Sequence, residues 1–487
     1  MYRARSKRAE RRRLILTYTL VPLLIAAVVA LLVFYMLGYR FSLANRTVTQ
    51  GGLIQLSSLP TGADVTIDTY KLPSQTTTRY DASAGLHTVT MHRDGYLPWQ
   101  KTVTVEPGKV LWLNYARLIP EKIEQSTVQA FANVDSSVAS PNGQTFVVIP
   151  DATKPLLTHI ALGDTVRQTD ITLPASLYQT PTKQSRFTVT KLSSSGRYAL
   201  VKHTLDSEYE WLFIDTRSPD QSRNISELVG RKIDEPIVGA SDERRLYVIV
   251  DHTLRQVDTE QQTVSAPLID NVAEVSQSAN GVLAYVSQAS GTPKQRAAGY
   301  YTPGATKPHV IRTFYDDGRT VLRLRLAKYM NDDYVVLQYG TSIEISSTRL
   351  VRSDNGQDLS LTSVATLAVP DGADNVSFSP SGRFVVSQRA STYLTYDLEL
   401  NSLSTSSLKG EAAVTRSLSW LDNYILWSDR DNTLRLYEFD GANSHTIGAV
   451  IGGQAAILSS DGKYLYAFQT SSDGTPQLVR FHLRTNS

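Results

Sequence analysis

The chain has 487 residues, too many for one ordinary hydrophobic core, so several domains or a large repeat architecture are expected. Its formal net charge of +3 is misleading, because seven of the 49 basic residues and one of the 46 acidic residues lie in the first 13 positions. The remainder is slightly acidic, which argues against a nucleic-acid-binding body, and the lack of cysteine excludes disulfides, thiolate metal sites and a lipidated-cysteine anchor.

The N-terminal region predicts a membrane anchor. Residues 1–13 form a basic tail, and residues 14–38 carry no charge over roughly 37 Å of helix, enough to cross a bilayer. The basic tail predicts a cytoplasmic N-terminus on a single-pass protein of the cell membrane, with the bulk of the chain extracytoplasmic. The alternative is a cleaved signal peptide with small residues at 42–44, although its apolar region would exceed the usual length of about 7 to 15 residues.

After a short polar linker, residues 39–50, the segment 51–120 predicts a small β-sandwich. Apolar and polar residues alternate in "DVTID", "HTVTMH", "KTVTVEP" and "VLWLNYA", as they do in half-buried strands, and glycines separate these runs. The three residues His87, His92 and Asp94 suggest either a metal site or, more simply, residues on the solvent side of strands.

The same segment resembles the PEGA domain of surface-layer and other envelope proteins. The positions that carry the resemblance are Pro60, Gly62, Ala63, Gly95 and Tyr96, while Thr61 stands where the family's motif has Glu. The resemblance implies a β-sandwich module used for spacing or for contact with envelope material, and it implies no enzymatic activity.

From residue 121 to the end, one strand-turn-strand unit repeats. Copies begin near residues 140, 193, 241, 278, 331, 379, 421 and 459, at intervals that are typical of β-propeller blades. In each turn Ser or Asn bonds its own backbone and Gly takes the left-handed position. The turn residues that we single out as structural are Ser140, Pro141, Gly143, Ser379, Pro380, Gly382, Asp461 and Gly462.

The run after each turn is almost continuously apolar, as expected of a strand covered on both faces. A third strand follows, often ending in Asp, and then a shorter polar fourth segment such as residues 224–229. The eighth unit lacks a fourth strand, and residues 122–129 are strand-like and unassigned. We therefore predict an all-β, eight-bladed propeller closed by its N-terminal strand; a seven-bladed ring is the alternative if the degraded copy near 331 is not a blade.

The region 121–487 resembles the TolB-like and WD40-like β-propellers, whose repeated Ser-Pro-Asp-Gly turn is echoed at residues 140–143, 379–382 and 459–462. No unit carries the Gly-His and Trp-Asp pairs of strict WD40 repeats, so the TolB-like version is the closer likeness. The resemblance is specific for fold and says almost nothing about the ligand.

No enzyme signature is found in the sequence. The patterns G-x-S-x-G, H-E-x-x-H and G-x-x-x-x-G-K-[ST] are absent, so no catalytic, cofactor-binding or metal-binding residue is assigned. Residues 429–432 and 315–318 are interpreted as turns instead of cation loops. The tryptophans Trp211, Trp420 and Trp427 suggest either a sugar-stacking surface near the channel or, in preference, packing between blades.

These observations predict a membrane-anchored extracytoplasmic binding or scaffold protein, with no cofactor and no nucleic-acid partner. Its propeller is expected to recognise a cell-envelope or surface partner, either protein or cell-wall glycan, through loops outside the repeat. The main alternative is an envelope enzyme that acts on polysaccharide with carboxylates at the channel mouth. A third hypothesis is a sensor, which would need a membrane partner because the cytoplasmic tail is so short.

Overall fold

The structure is a computed structural model that describes residues 7–36, 39–42, 47–163, 165–180, 183–350, 359–410 and 418–485. The chain divides into two compact units, Met1–Lys122 with Arg484–Ser487, and Ile123–Leu483. The first six residues of the basic tail and positions 43 and 44 of the alternative cleavage site lie outside the described ranges.

The first unit begins with helix α1 (Lys7–Met36), so that the basic residues from Lys7 onward are helical together with the apolar segment. Its stretch Leu16–Phe34 has a mean hydropathy of 2.5 and is exposed along its whole length, as suits either an anchor or a signal segment. The predicted linker contains two strands, β1 (Tyr39–Ser42) and β2 (Thr47–Gln50), which pair in antiparallel fashion.

The remainder of this unit is a two-sheet sandwich. Its strands are β3 (Gly52–Leu59), β4 (Asp64–Ile67), β5 (Tyr70–Lys71), β6 (Thr78–Ala82), β7 (Gly85–His92), β8 (Trp99–Val105) and β9 (Val110–Arg117). One sheet has the order β6-β3-β9 and the other the order β5-β4-β7-β8. The alternation seen in the sequence becomes alternating burial along β3, whose apolar residues Ile54 and Leu56 pack against Val65, Val89 and Trp99 in the core.

The second unit is a succession of four-stranded antiparallel sheets. After β10 (Gln125–Ala130), sheet 1 contains β11 (Ser136–Ala139), β12 (Thr145–Ile149), β13 (Leu156–Ala161) and β14 (Arg167–Thr172). Sheet 2 contains β15 (Ser185–Leu192), β16 (Tyr198–Leu205), β17 (Glu208–Asp215) and β18 (Arg223–Asn224), with the 3-10 helix Pro219–Gln221 and helix α2 (Ile225–Val229). Sheet 3 contains β19 (Ile237–Val238), β20 (Arg245–Val250), β21 (Thr253–Asp258) and β22 (Thr263–Val264).

Sheets 4 to 8 follow the same order. Sheet 4 contains β23 (Val272–Gln277), β24 (Leu283–Ser287), β25 (Gln295–Tyr301) and β26 (His309–Tyr315); sheet 5 contains β27 (Leu322–Tyr329), β28 (Asp332–Tyr339), β29 (Ser342–Thr348) and β30 (Thr362–Ala368). Sheet 6 contains β31 (Asn375–Phe378), β32 (Phe384–Arg389), β33 (Thr392–Asp397) and β34 (Ser402–Ser407). Sheet 7 contains β35 (Ser419–Trp420), β36 (Ile425–Ser428), the 3-10 helix Arg430–Asn432, β37 (Thr433–Glu438) and β38 (His445–Ala449). Sheet 8 contains β39 (Ile457–Leu458), β40 (Tyr464–Thr470) and β41 (Pro476–His482), with β10 paired to β41.

Burial within each sheet follows the predicted gradient. The second strands β12 and β24 are buried at every residue, whereas the fourth strands β14 and β34 are largely exposed. The hydrophobic clusters lie between consecutive sheets: one joins Val147 and Leu157 of sheet 1 to Phe187 and Val201 of sheet 2. These stacked four-stranded sheets with cores between them are the arrangement of a β-propeller.

The repeated turn joins the first and second strands of each sheet. In four copies the opening serine hydroxyl accepts a hydrogen bond from the amide five residues later, at 3.0 to 3.1 Å, and its carbonyl accepts the glycine N–H; these serines are Ser140, Ser193, Ser379 and Ser459. The glycine of each of these four turns has a positive φ, for example 74° at Gly143 and 80° at Gly382. In these copies one serine side chain therefore closes the turn, as its composition suggests.

The prediction of an outer strand over residues 224–229 is wrong. Only Arg223–Asn224 pairs with the third strand, and helix α2 follows immediately. The Asn224 side chain accepts a hydrogen bond from the Glu227 N–H at 3.0 Å, and Gly230 ends the helix in the left-handed region with φ of 70°. These are the capping residues that start and stop a helix, and here they override the apolar pattern of a strand.

Candidate binding site

A cavity of about 900 Å³ lies at the end of the propeller where the repeated turns meet. Its lining comes from the first strands and turns of sheets 1, 2, 3, 4, 7 and 8, together with Trp427 on the second strand of sheet 7. We call this region the channel mouth: residues 137–141, 190–194, 237–240 with Glu243, 275–279, 419–421 with Trp427, and 455–458. The volume falls within the range of about 300 to 1,000 Å³ that is typical of ligand sites. Segments that are far apart in sequence therefore form one concave surface.

The channel mouth is almost uncharged. Its only ionisable side chains, within the described ranges, are Lys191 and Glu243. The Glu243 carboxylate accepts hydrogen bonds from the Ser195 hydroxyl and, at 2.7 Å, from the Ser195 N–H. The Glu243 carboxylate therefore links the turns of sheets 2 and 3. The exposed Lys191 is the other charged residue of the described lining.

Three buried polar atoms of the channel mouth have no hydrogen-bond partner among the residues that the structure describes. They are Thr190 Oγ1 on β15, Gln277 Nε2 on β23 and Trp420 Nε1 on β35. Each residue lies at the end of an inner strand, one to three positions before the repeated turn. Buried polar groups are nearly always hydrogen-bonded, so three unpartnered atoms around one cavity mark it as a place where polar partners are missing.

The tryptophans separate into two environments. Trp211 is 4% exposed and packs in the cluster between sheets 2 and 3, as the preferred interpretation predicts. Trp420 and Trp427 both line the channel mouth, and the Trp420 ring also stacks on Phe384 at a centroid distance of 6.1 Å. These two residues are therefore placed both for packing between blades and for contact with a ligand.

The turn residues chosen from the sequence reach the channel mouth only in part. Ser140 and Pro141 line it, whereas sheet 6, which carries Ser379, Pro380 and Gly382, contributes no lining residue within the described ranges. In the first unit, Ala63 and Tyr96 are buried in the sandwich core and Gly62 and Gly95 have positive φ, beside Pro60. The positions that sequence reasoning missed are Thr190 and Gln277; aligning the repeats on their turn serines would have shown that both end an inner strand.

A second polar cluster is buried within sheet 2. The His203 ring lies 2.7 Å from Ser185 Oγ through Nε2 and 2.8 Å from Glu210 Oε1 through Nδ1, and it stacks on Phe187. Glu210 also accepts from the Gln179 N–H and from Asn224. Burial raises the pKa of Glu210, but these hydrogen bonds outweigh it and hold that pKa below its usual value. The cluster is fully satisfied, so it fixes three strands in register.

The suggested metal site in the first unit has a different geometry. His87 Nδ1 lies 2.8 Å from Asp68 Oδ2, and its Nε2 lies 2.8 Å from the Ser83 carbonyl oxygen, so this ring is engaged with an ion-pair partner. Across the described parts of the chain, no three His, Asp or Glu side chains are placed to hold a metal ion. The segment 429–432 lies between β36 and β37 of sheet 7. In the segment 315–318, Tyr315 ends β26 and the other three residues lie between sheets 4 and 5.

Comparison with known protein families identifies one domain. Residues 52–118 match the PEGA domain, which confirms the resemblance inferred for this segment. No curated protein sequence matches the chain.

Solved structures similar to the chain include propeller-containing proteins. An oligogalacturonate lyase in complex with manganese is 12% identical with a TM-score of 0.42, covering 74% of this chain and 98% of that one. Porphyromonas gingivalis dipeptidyl peptidase 4 is 14% identical with a TM-score of 0.47, covering 74% of this chain and 60% of that one. The Myceliophteria thermophila Cps50 (Swd1) β-propeller domain is 12% identical with a TM-score of 0.39, covering 75% and 100%. At these values the likenesses say nothing about activity or ligand.

Proposed function

We propose that the chain is a membrane-anchored extracytoplasmic binding protein whose propeller recognises a cell-envelope or surface partner at the channel mouth. The observation that carries this proposal is the cavity itself, which six sheets line with aliphatic, hydroxyl and indole groups. A concave site that combines apolar surface with convergent polar groups is the usual form of a recognition site. Helix α1 would confine this binder to the membrane surface, with the N-terminus cytoplasmic because of the basic tail.

We further propose that sheets 1 to 8 are the eight blades of a closed ring, and that β10 supplies the last strand of blade 8. Three observations support closure. Residues of β10 and β41 pair in antiparallel register, as at Ser126 and Arg480. Phe146 of sheet 1 packs against Phe468 of sheet 8 at a centroid distance of 5.6 Å. Ser137 donates to Gln454 Oε1 at 2.8 Å, which joins the start of sheet 1 to the segment before sheet 8.

The residues of the channel mouth favour binding of a partner over catalysis by a pair of carboxyl groups. Glycoside hydrolysis normally uses a pair of carboxyl groups about 5 to 10 Å apart with distinct protonation states. Glu243 is the one carboxylate in the described lining, and it is held by Ser195. The groups that do converge there are hydrogen-bond donors and apolar surfaces, which bind a partner without transforming it.

Retention of envelope material by the full-length chain in lipid nanodiscs tests this function. Ala279 is exposed in the channel mouth, so Ala279→Trp would fill part of the cavity, while Ala368→Trp places the same ring on the exposed fourth strand of sheet 5 as a control. We expect the unmodified chain and Ala368→Trp to retain the same partner, and Ala279→Trp to retain at least tenfold less. Equal retention by both variants would overturn the assignment of the partner site to the channel mouth.

A further inference from the structure

Three polar atoms of the channel mouth lack hydrogen-bond partners, unlike most of its other polar groups. The serine hydroxyls there are largely engaged: Ser276 donates to the Leu324 carbonyl at 3.0 Å, and Ser278 donates to the Val282 carbonyl at 2.9 Å. By contrast, Thr190 Oγ1, Gln277 Nε2 and Trp420 Nε1 are shielded from solvent and lack partners within the described residues. Leaving a buried polar group unpaired costs about 1–3 kcal/mol, so the fold retains three groups that do not stabilise it.

The chemistry of these three atoms restricts their partner. An indole N–H only donates, a primary amide nitrogen offers two donors, and a threonine hydroxyl can donate or accept. A ligand that satisfies them must therefore present several acceptor oxygens. A peptide backbone brings one N–H for each carbonyl, and the unpartnered set contains only one group, Thr190 Oγ1, that could accept from it.

Charge and shape restrict the ligand further. The Glu243 carboxylate is already engaged with Ser195, and a single exposed lysine is the only cation of the lining within the described ranges, which suits an uncharged ligand. Two indoles, at Trp420 and Trp427, lie beside aliphatic residues such as Val138 and Val275. A pyranose ring matches such a surface, because it combines apolar C–H faces with an edge of hydroxyl and ring oxygens.

We propose that the channel mouth binds a neutral saccharide chain. On binding, the half-buried side chains of Thr190, Gln277 and Trp420 turn toward the cavity that they line, so that saccharide oxygens accept hydrogen bonds from Gln277 Nε2 and Trp420 Nε1 and pair with Thr190 Oγ1. This inference rests on the proposed function and names the chemical class of its ligand. It also gives the repeat a second role, since the same inner strands that build the scaffold present the binding groups at their ends.

Two isosteric variants test the inference, Thr190→Val and Gln277→Met, in the full-length chain in nanodiscs. Because they remove unpartnered polar atoms, they should leave the melting temperature unchanged or raise it, while retention of the neutral glycan pool released from the native envelope falls at least tenfold for each. Thr395→Val is the matched control: Thr395 Oγ1 is also buried and without a partner in the described residues, but it lies on β33 outside the cavity lining. It should keep full glycan retention.

The outcomes separate the two proposals. A lower melting temperature with unchanged retention would show that Thr190 and Gln277 are structural groups and would overturn the inference. Retention of the envelope protein pool in place of the glycan pool would also overturn it, while leaving the proposed function standing. Retention of neither pool would contradict both.

Discussion

Gly143 packs so closely on Leu458 that a Cβ atom at position 143 would lie 2.5 Å from the Leu458 carbonyl oxygen. Gly143 ends the repeated turn of sheet 1 and Leu458 precedes the repeated turn of sheet 8, so the first and last sheets meet through their turns. The same relationship occurs between neighbours in sequence: a Cβ at Gly382 of sheet 6 would clash with the Lys328 carbonyl oxygen of sheet 5. The closed ring that we propose accounts for this similarity, because it makes sheets 8 and 1 neighbours.

Substitution of Gly143 should therefore destabilise the propeller through its packing as well as its backbone conformation. Gly143→Ala introduces a left-handed residue, at about 1–2 kcal/mol, and a contact with the Leu458 carbonyl that only a backbone shift relieves. The control is Gly474→Ala, because Gly474 has a similar φ of 86° but open space around it. We expect the urea midpoint to fall clearly further for Gly143→Ala; equal falls would mean that sheets 1 and 8 are not in close contact.

Closure by β10 predicts a specific disulfide. The chain has no cysteine, so Ser126→Cys with Arg480→Cys creates a single pair on directly opposed residues of β10 and β41. Opposed residues have Cβ atoms about 4.5–5.5 Å apart, close to the reach of a disulfide, and cross-links typically add about 2–4 kcal/mol. Mass spectrometry without reductant should find the intramolecular bond, with a raised melting temperature. The pair Ser126→Cys with Ser363→Cys should form none, and failure of the first pair to form would argue against closure.

The arginine that follows the repeated turn should contribute most to the unfolding free energy where its side chain is buried. Arg383 is 7% exposed and makes two hydrogen bonds to Asp397, at 2.9 and 2.7 Å, while Arg197 holds the equivalent Asp215 from a side chain that is 38% exposed. Breaking a pair in which both groups are buried costs about 3–5 kcal/mol. Asp215 is also buried, but the Arg197 side chain is partly exposed, so water can reach the carboxylate when the guanidinium is removed. Arg383→Met should therefore lower the unfolding free energy more than Arg197→Met. Similar losses in urea titrations would contradict this reading of the two repeats.

The PEGA domain, residues 52–118, should lose stability as the pH rises above about 6.5. Burial lowers the pKa of His87, but its hydrogen bonds to Asp68 and to the Ser83 carbonyl outweigh this effect and raise that pKa above its usual value. Both ring nitrogens face acceptors, so only the doubly protonated ring donates to both. Since the folded pKa is raised, the contribution is fully present below about pH 6.5 and is lost as the pH rises through the folded value.

An NMR titration of the His87 ring measures this directly. Its midpoint should lie above 6.5 in the unmodified chain and should fall in Asp68→Asn, which keeps a residue that tolerates the left-handed φ of 55° at this position. A midpoint at or below 6.5, or one that Asp68→Asn leaves unchanged, would show that the contact with Asp68 does not favour the charged ring.

The sequence predicts the architecture well because the residue types within each repeat determine its local structure. Serine, glycine and an apolar run specify a turn and a buried strand without reference to distant residues. The five copies with both residues, at 140, 193, 278, 379 and 459, all fall between the first and second strands of their sheets. The three copies without the glycine, at 241, 331 and 421, fall at the same place. Helix α2 was not predicted, although Asn224, Glu227 and Gly230 are residues that cap helices. The reason is that a segment mixing polar and apolar residues is also typical of an edge strand.

The candidate site could be predicted only in part. Ser140 and Pro141 were singled out for their turn chemistry and line the cavity, but the binding groups Thr190 and Gln277 have no local signature. Their significance depends on the missing partner and on the closeness of strands that are more than 80 residues apart in sequence, from 190 to 277. Such convergence is a property of the folded chain, so a single sequence does not reveal it.

The most direct test of the channel mouth as a saccharide site is the indole signal of Trp420. The chain has five tryptophans, so the full-length protein labelled with 15N at the indoles gives a simple spectrum, and Trp420→Phe assigns the relevant peak. Trp211 is an internal control, since its Nε1 is also buried without a partner in the described residues but lies between sheets 2 and 3. On addition of the native neutral glycan pool, we predict that the Trp420 N–H signal shifts while the Trp211 signal stays in place. A Trp420 signal that does not move at saturating glycan would contradict the account.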